Sequence, residues 1–138
     1  MKRLAKYWTD GFDWAKAEAR LNELPNYHQA IGVDGFPSLD IHYLHQPSSS
    51  PDAIPLLFCH GWPGSYIECE KMLTALKQSN NGVSFHVVAP SLPNFAWSEG
   101  VKGKGFGLQQ YAEVRRPDVR DSQQQWLWLT IPRSIIAS

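Results

Sequence analysis

Hydrophobic and polar positions follow one another along this chain in short segments that predict a mixed α/β fold. Residues 56–59 form a continuous apolar run, which is typical of a strand buried on both faces. The turn-rich sequence His-Gly-Trp-Pro-Gly-Ser follows at 60–65, and residues 66–77 then place apolar side chains among charged ones at helical spacing. The pattern predicts a strand, a tight loop and a helix, with backbone N–H groups of the loop pointing outward.

A second helical pattern lies near the N-terminus. Residues 15–24 are rich in Ala, Glu, Lys and Leu, Asp13 is placed to cap the start, and Pro25 ends the pattern. One face of this helix is apolar, so we expect it to pack against the rest of the chain through Trp14, Ala17, Leu21 and Leu24.

Further segments predict three strands and one helix. Residues 27–33 and 39–45 flank the turn-forming residues 34–38, so they predict a hairpin. Residues 85–89 predict another strand, and residues 107–113 predict the beginning of another helix.

Composition narrows the class of protein. The 138 residues allow one domain or part of one, and 13 basic against 13 acidic residues give no reason to expect a nucleic-acid or membrane-surface partner. We find no secretory signal, and no apolar stretch approaches the ~20 residues of a membrane span. Cys59 and Cys69 are too few for a disulfide framework, so we expect reduced thiols in the cytoplasm.

Neither a metal site nor a cofactor site is predicted. His42 and His45 lie on opposite faces of their strand and have no Cys or carboxylate partner at ligand spacing. The glycine-rich residues 102–107 lack the Gly-Lys-Ser/Thr ending of a phosphate-binding loop.

The loop after the apolar run carries the candidate chemistry. Outward-pointing N–H groups suit an oxyanion hole, although a strand-to-helix turn alone also accounts for Gly and Pro here. His60-Gly61-Trp62-Pro63 resembles the oxyanion-hole loop of α/β-hydrolases. With Gly64 and the following Ser, it is most similar to epoxide hydrolases of the microsomal and juvenile-hormone type.

A second, independent resemblance lies upstream. Trp8, the Phe-Asp-Trp sequence that ends at Trp14, and the Leu-Pro-Asn-Tyr sequence that ends at Tyr27 are similar to the N-terminal epoxide hydrolase domain. The resemblance spans residues 7–113, about the first third of a complete enzyme of this family.

The resemblance implies a fold and a reaction. The fold would be the N-terminal part of an α/β-hydrolase sheet, about four strands in the order first, second, fourth, third, after a helical N-terminal segment. The reaction would add water to a small hydrophobic epoxide through an Asp ester, giving a diol without a cofactor. The Trp62 N–H would donate to the oxyanion, His60 would orient the turn, and the Trp62–Pro63 bond would be cis. The loop motif would comprise His60, Gly61, Pro63 and Gly64.

Several parts of the family pattern have no counterpart. The chain contains neither Gly-x-Asp-x-Gly nor Gly-x-Ser-x-Gly, and the nucleophile, the acid and the catalytic His of the family are not found. Asn94 and Ala96 stand where the family often has glycine. We therefore expect a truncated chain that is inactive by itself. Two alternatives stay open, namely a non-catalytic binding or regulatory module and a serine esterase of the same fold.

Residues 114–138 match nothing in the family. Consecutive large apolar residues stand there among Gln and Pro without a helical period. We interpret this segment as an aberrant, disordered tail from a translated intron or a frameshift, after a hydrolase-like part at 1–113. The strand at 56–59 would then leave an apolar sheet edge open, which predicts self-association. The alternative is a genuine tail that covers the open edge of the sheet.

Overall fold

The computed structural model describes residues 1–78 and 82–114. Helices flank a small mixed sheet, as the hydrophobic pattern predicts. The α-helices are α1 (Lys2–Lys6), α2 (Trp14–Asn22), α3 (Glu70–Lys77) and α4 (Leu108–Val114), with a π-helical turn at Tyr7–Gly11 and a 3₁₀ turn at Tyr66–Cys69. The strands are β1 (Asn26–Val33), β2 (Phe36–Gln46), β3 (Ile54–Leu57) and β4 (Phe85–Pro90).

The four strands form one sheet in the order β1-β2-β4-β3, which confirms the predicted order. β2 pairs antiparallel with both β1 and β4, whereas β3 runs parallel to β4 with Leu56 opposite Val87. The β3–β4 pair is therefore the parallel part of the sheet, and the carboxyl ends of these two strands meet at the same edge.

Two strand predictions differ from the structure. β3 begins and ends two residues earlier than predicted, and Leu57 is its one buried residue, so the prediction of burial on both faces was wrong. The reason is position, because β3 is the outermost strand of the described sheet. The predicted turn at 34–38 is also shorter, since β2 already begins at Phe36 and Gly35 alone takes a left-handed backbone, with φ of 75°.

Helix α2 forms where it is predicted. The Asp13 carboxylate accepts a hydrogen bond from the Lys16 N–H at 3.1 Å and so caps the first turn. Leu21 and Leu24 are half-buried, as expected. Trp14 was wrongly placed on the buried face, because its side chain is 55% exposed.

The sheet is covered on both faces by apolar side chains. One cluster lies under the 3₁₀ turn and α3, and a second lies under α4. Leu44 and Ile41 of β2 belong to different clusters because they fall on opposite faces of the strand. The first cluster comprises Leu44, Tyr66, Cys69, Leu73, Val87 and Ala89, and the second comprises Val33, Leu39, Ile41 and Val114.

Val114 ends α4 and is 2% exposed, whereas the rest of the predicted tail, residues 115–138, lies outside the described residues. The division of the chain at 113 and the origin of the tail therefore stay predictions, which sequencing of the transcript tests. Across 1–78 and 82–114, none of the helices has the length and apolar character needed to cross a membrane.

Candidate active site

Two loops leave the sheet at the carboxyl ends of the parallel strands. Residues 58–65 follow β3 and residues 91–99 follow β4. The Phe58 N–H donates to the Val88 carbonyl at 2.8 Å, so the two strands stay paired up to the point where the loops begin. In open α/β sheets, ligands bind outside the carboxyl ends of the strands. We therefore expect the functional site at this edge of the sheet.

The first loop makes a tight reversal into the 3₁₀ turn. The Trp62–Pro63 bond is cis, which confirms the prediction. A Cβ at Gly64 would lie 2.8 Å from the Gly61 carbonyl oxygen, so a larger residue does not fit at 64. Ser65 then caps the helical segment reciprocally, since its N–H donates to the Glu68 carboxylate at 3.1 Å and its hydroxyl accepts from the Ile67 N–H.

Trp62 lies at the outer point of this reversal. Its side chain is 85% exposed, and its backbone N–H has no hydrogen-bond acceptor within the part of the chain that the structure describes. An N–H group in this condition can donate to a ligand without first giving up an internal hydrogen bond.

His60 joins the first loop to the second. Its ring is 3% exposed, and its Nε2 accepts a hydrogen bond from the Leu92 N–H at 3.1 Å. Because Nε2 is the acceptor, Nδ1 carries the ring proton and donates it to the Gly61 carbonyl at 3.0 Å. The Phe95 ring packs against the imidazole with centroids 5.0 Å apart. His60 thus positions the peptide that precedes Trp62.

The second loop has an unusual backbone. Asn94 and Ala96 have φ of 70° and 45°, so both take the left-handed conformation that glycine adopts without cost. The Ser98 hydroxyl donates to the Ser91 carbonyl at 2.7 Å and accepts from the His42 N–H at 2.9 Å. These bonds hold the loop against the middle of β2.

Comparison with known proteins decides the family. The family model described as "Epoxide hydrolase N terminus" matches residues 1–69, half of the chain. The chain belongs to the epoxide hydrolase family. It is 37% identical to Epoxide hydrolase 1 of Sus scrofa and 33% identical to Juvenile hormone epoxide hydrolase 1 of Ctenocephalides felis, over 83% and 84% of its length.

The solved structures agree with the sequence relatives. The structure of the Aspergillus niger epoxide hydrolase matches with a TM-score of 0.68 and 35% identity, over 83% of this chain and 29% of that one. The match covers 26% and 25% of the Sus scrofa and Ctenocephalides felis proteins. The epoxide hydrolase chain described here therefore spans about a quarter of its curated relatives, less than the predicted third.

A buried histidine lies behind the two loops of this epoxide hydrolase chain. His42 is 1% exposed, its Nε2 lies 2.9 Å from Asn26 Oδ1, and its Nδ1 lies 2.8 Å from Ser91 Oγ. Burial, reinforced by the nearby His28 and opposed by Asp40, lowers the pKa of His42 to about 4. His42 is therefore a neutral core residue whose two ring nitrogens are both used.

The Asn26–His42–Ser91 arrangement resembles a catalytic triad in its connections but not in its access. Ser91 is 0% exposed, so its hydroxyl cannot reach a substrate carbonyl. No group of three or more His, Cys, Asp or Glu side chains within residues 1–78 and 82–114 could hold a metal ion. Within the described residues, the exposed Trp62 N–H and the hydrogen-bonded loops that hold it are therefore the features of this edge open to a ligand.

Sequence reasoning missed the residues that support the loops. Asn26, Tyr66, Ser91 and Trp97 come from three separate segments, so no local motif groups them, and Asn26 was noted for its place in the Leu-Pro-Asn-Tyr sequence alone. Tyr66 is 1% exposed, and its hydroxyl accepts a hydrogen bond from the Trp97 indole N–H at 3.0 Å. The sequence offered one signal. Because His42 has no metal-ligand partners at the required spacing, its polar ring needs hydrogen-bond partners from elsewhere in the fold.

Proposed function

We propose that this chain is the N-terminal, oxyanion-binding part of an epoxide hydrolase and that it does not turn over epoxides by itself. The observation that carries the proposal is the Trp62 N–H, which has no acceptor among residues 1–78 and 82–114 and lies at the carboxyl ends of two parallel strands. The family reaction opens a small hydrophobic epoxide with an Asp carboxylate and hydrolyses the resulting ester to a diol. It uses no cofactor and involves no nucleic acid.

The Trp62 N–H would act in the second half of that reaction. Attack of water on the ester carbonyl places negative charge on its oxygen, and a fixed N–H at hydrogen-bonding distance stabilises that charge. Removing one such donor costs about 10²–10³ in turnover in other enzymes. His60 supports this role indirectly, because it fixes the Gly61 peptide and the second loop.

Two other functions compete with this proposal. A non-catalytic binding or regulatory module would use the same surface without the ester chemistry. A serine esterase would need an accessible nucleophile, and the buried Ser91 does not provide one.

Location in the cytoplasm is proposed from the two cysteines alone, and cell fractionation tests it.

Assays of the chain with two substrates separate these functions. With styrene oxide and with an aryl acetate, we expect product formation at the uncatalysed rate. Turnover of the aryl ester would favour the esterase, and turnover of styrene oxide would show that the chain is active alone.

A chimera tests the oxyanion role. Residues 1–113 replace the matching segment of the Aspergillus niger epoxide hydrolase, and we expect the chimera to form diol. Trp62→Pro removes the N–H and should slow ester hydrolysis by about 100-fold or more, so that the ester accumulates in single-turnover experiments. Trp62→Ala keeps the N–H and serves as the matched control. Equal turnover of the two variants would overturn the assignment.

A further inference from the structure

We propose that Trp97 is a specificity-determining residue, whose indole forms an aromatic wall for an aryl substituent on the substrate. The proposal rests on the proposed function and adds to it a substrate class, the aryl epoxides. Three features of the structure lead to it: a fixed ring orientation, a constrained backbone and a location beside the oxyanion loop.

The Trp97 ring is exposed and yet fixed. Its side chain is 57% exposed, while its Nε1–H donates at 3.0 Å to the hydroxyl of Tyr66, which is 1% exposed. Tyr66 itself packs against the buried His42 ring in an edge-to-face contact, with centroids 4.7 Å apart. An aromatic face anchored at its polar end loses little conformational freedom when a flat ligand stacks on it.

The backbone on both sides of Trp97 is constrained. Ala96 has φ of 45°, a conformation that costs free energy for a residue with a side chain. Ser98 holds the other side through its bonds to the Ser91 carbonyl and the His42 N–H. Such conformations persist where the surrounding structure imposes them, and they cluster at ligand sites.

The location places Trp97 at the candidate active site. Its loop leaves β4 at the same sheet edge where the Trp62 loop leaves β3. The bond between the Leu92 N–H and His60 joins the two loops, and the Tyr66–Trp97 bond joins the second loop to the 3₁₀ turn that follows the first. Stacking on an aryl group should strengthen binding by about threefold to tenfold over a saturated ring of similar size.

Binding of a product analogue to the full chain tests the proposal. The probes are 1-phenyl-1,2-ethanediol and its saturated counterpart 1-cyclohexyl-1,2-ethanediol, followed through the indole N–H resonances of the ¹⁵N-labelled chain. We expect the phenyl compound to shift the Trp97 resonance and to bind about threefold to tenfold more tightly. A Trp97 resonance that does not move, or equal binding of the two diols, would overturn the proposal.

Four variants assign the effect to the ring. Trp97→Leu should abolish the preference for the phenyl diol, whereas Trp14→Leu, which removes another exposed indole far along the chain, should leave it unchanged. Should Trp97→Leu fail to fold, Trp97→Phe keeps an aromatic face and should retain part of the preference. Tyr66→Phe keeps the indole but removes its anchor, and should lower the preference. An unchanged preference for the phenyl diol in folded Trp97→Leu and Tyr66→Phe variants would contradict the role of Trp97.

Failure of this proposal is distinguishable from failure of the proposed function. Binding of a diol needs no nucleophile, so the phenyl preference can be measured whether or not a chimera hydrolyses epoxides. An active chimera without a Trp97-dependent phenyl preference would remove Trp97 from the site and leave the epoxide hydrolase function intact.

Discussion

The side chains of Asn26 and His42 connect the N-terminal segment to the sheet. Asn26 Oδ1 lies 2.9 Å from His42 Nε2, while the Asn26 amide nitrogen donates to the carbonyls of Leu21 and Leu24 at 2.9 Å each. Because the amide nitrogen faces two acceptors, the amide oxygen is the atom that faces His42, which therefore carries its proton on Nε2. Asn26 thus bonds a carbonyl in the last turn of α2 and orients the imidazole at the same time.

Replacement of Asn26 should destabilise the chain. Asn26→Ala leaves the buried His42 Nε2–H without its acceptor and removes the side-chain bonds to the Leu21 and Leu24 carbonyls, which keep their backbone donors. We expect a loss of about 2 kcal/mol in the free energy of unfolding. Urea titration followed by tryptophan fluorescence measures it. Asn22→Ala, at the end of α2, is the matched control and should change stability by less than about 0.5 kcal/mol. Equal effects of the two substitutions would show that the Asn26–His42 bond contributes nothing.

Acid should weaken the fold through His42. Its pKa is about 4 in the folded chain against 6.5 ordinarily, so between these values the unfolded chain binds a proton that the folded chain does not. Neutral His42 therefore makes its full contribution to the free energy of unfolding above pH 6.5. That contribution is lost as pH falls toward 4, and the loss amounts to about 3 kcal/mol. Urea titrations at pH 7.5, 6, 5 and 4.5 measure the loss.

A substituted chain isolates the His42 contribution. Burial and the nearby His86 also lower the pKa of His45, so part of the acid sensitivity belongs to that residue. His42→Gln keeps His45 and removes the His42 titration, and its stability should fall less steeply between pH 6.5 and 4. Identical slopes for the two chains would contradict the assignment to His42.

Removal of the His60 imidazole should loosen the connection between the two loops. His60→Ala leaves the Leu92 N–H without its acceptor in a buried position, and we expect a loss of about 1–3 kcal/mol. Hydrogen exchange at the Leu92 amide should accelerate in parallel. His28→Ala is the control, because its ring is exposed and its pairing with Asp40 at 3.0 Å contributes at most about 1 kcal/mol. Protection of Leu92 that survives in His60→Ala would refute the contact.

The outer edge of β3 should mediate self-association. Within the described residues β3 pairs with β4 alone, so its other edge presents unpaired backbone groups beside apolar side chains. Sedimentation velocity at rising concentration should show oligomers. Ile54→Lys introduces a charge on this edge strand and should shift the chain toward monomer, whereas Ile67→Lys adds the same charge on the 3₁₀ turn and should not. A chain that stays monomeric at every concentration would contradict the prediction.

Local physics explains how much of the fold was predictable. The apolar run before the loop, the helical spacing after it and the capping residue Asp13 each act within a few residues, so their elements follow from the sequence. The cis bond and the strand order were predicted through resemblance to a family and not through such local rules. The errors in burial at β3 and Trp14 have one cause, since an apolar run or an apolar helix face shows that side chains are apolar but not whether a neighbour covers them.

The supporting structure of the candidate site depended on tertiary folding. His60, Gly61, Trp62 and Pro63 are contiguous, so the loop proposed to bind the oxyanion could be singled out from sequence alone. Asn26, His42 and Ser91 are separated by 16 and 49 residues, and the sheet order β1-β2-β4 is what brings them together. A hydrogen bond forms when the donor and the acceptor are close together and suitably oriented. For residues that are far apart in the sequence, the pairing of the strands brings the two atoms into that arrangement.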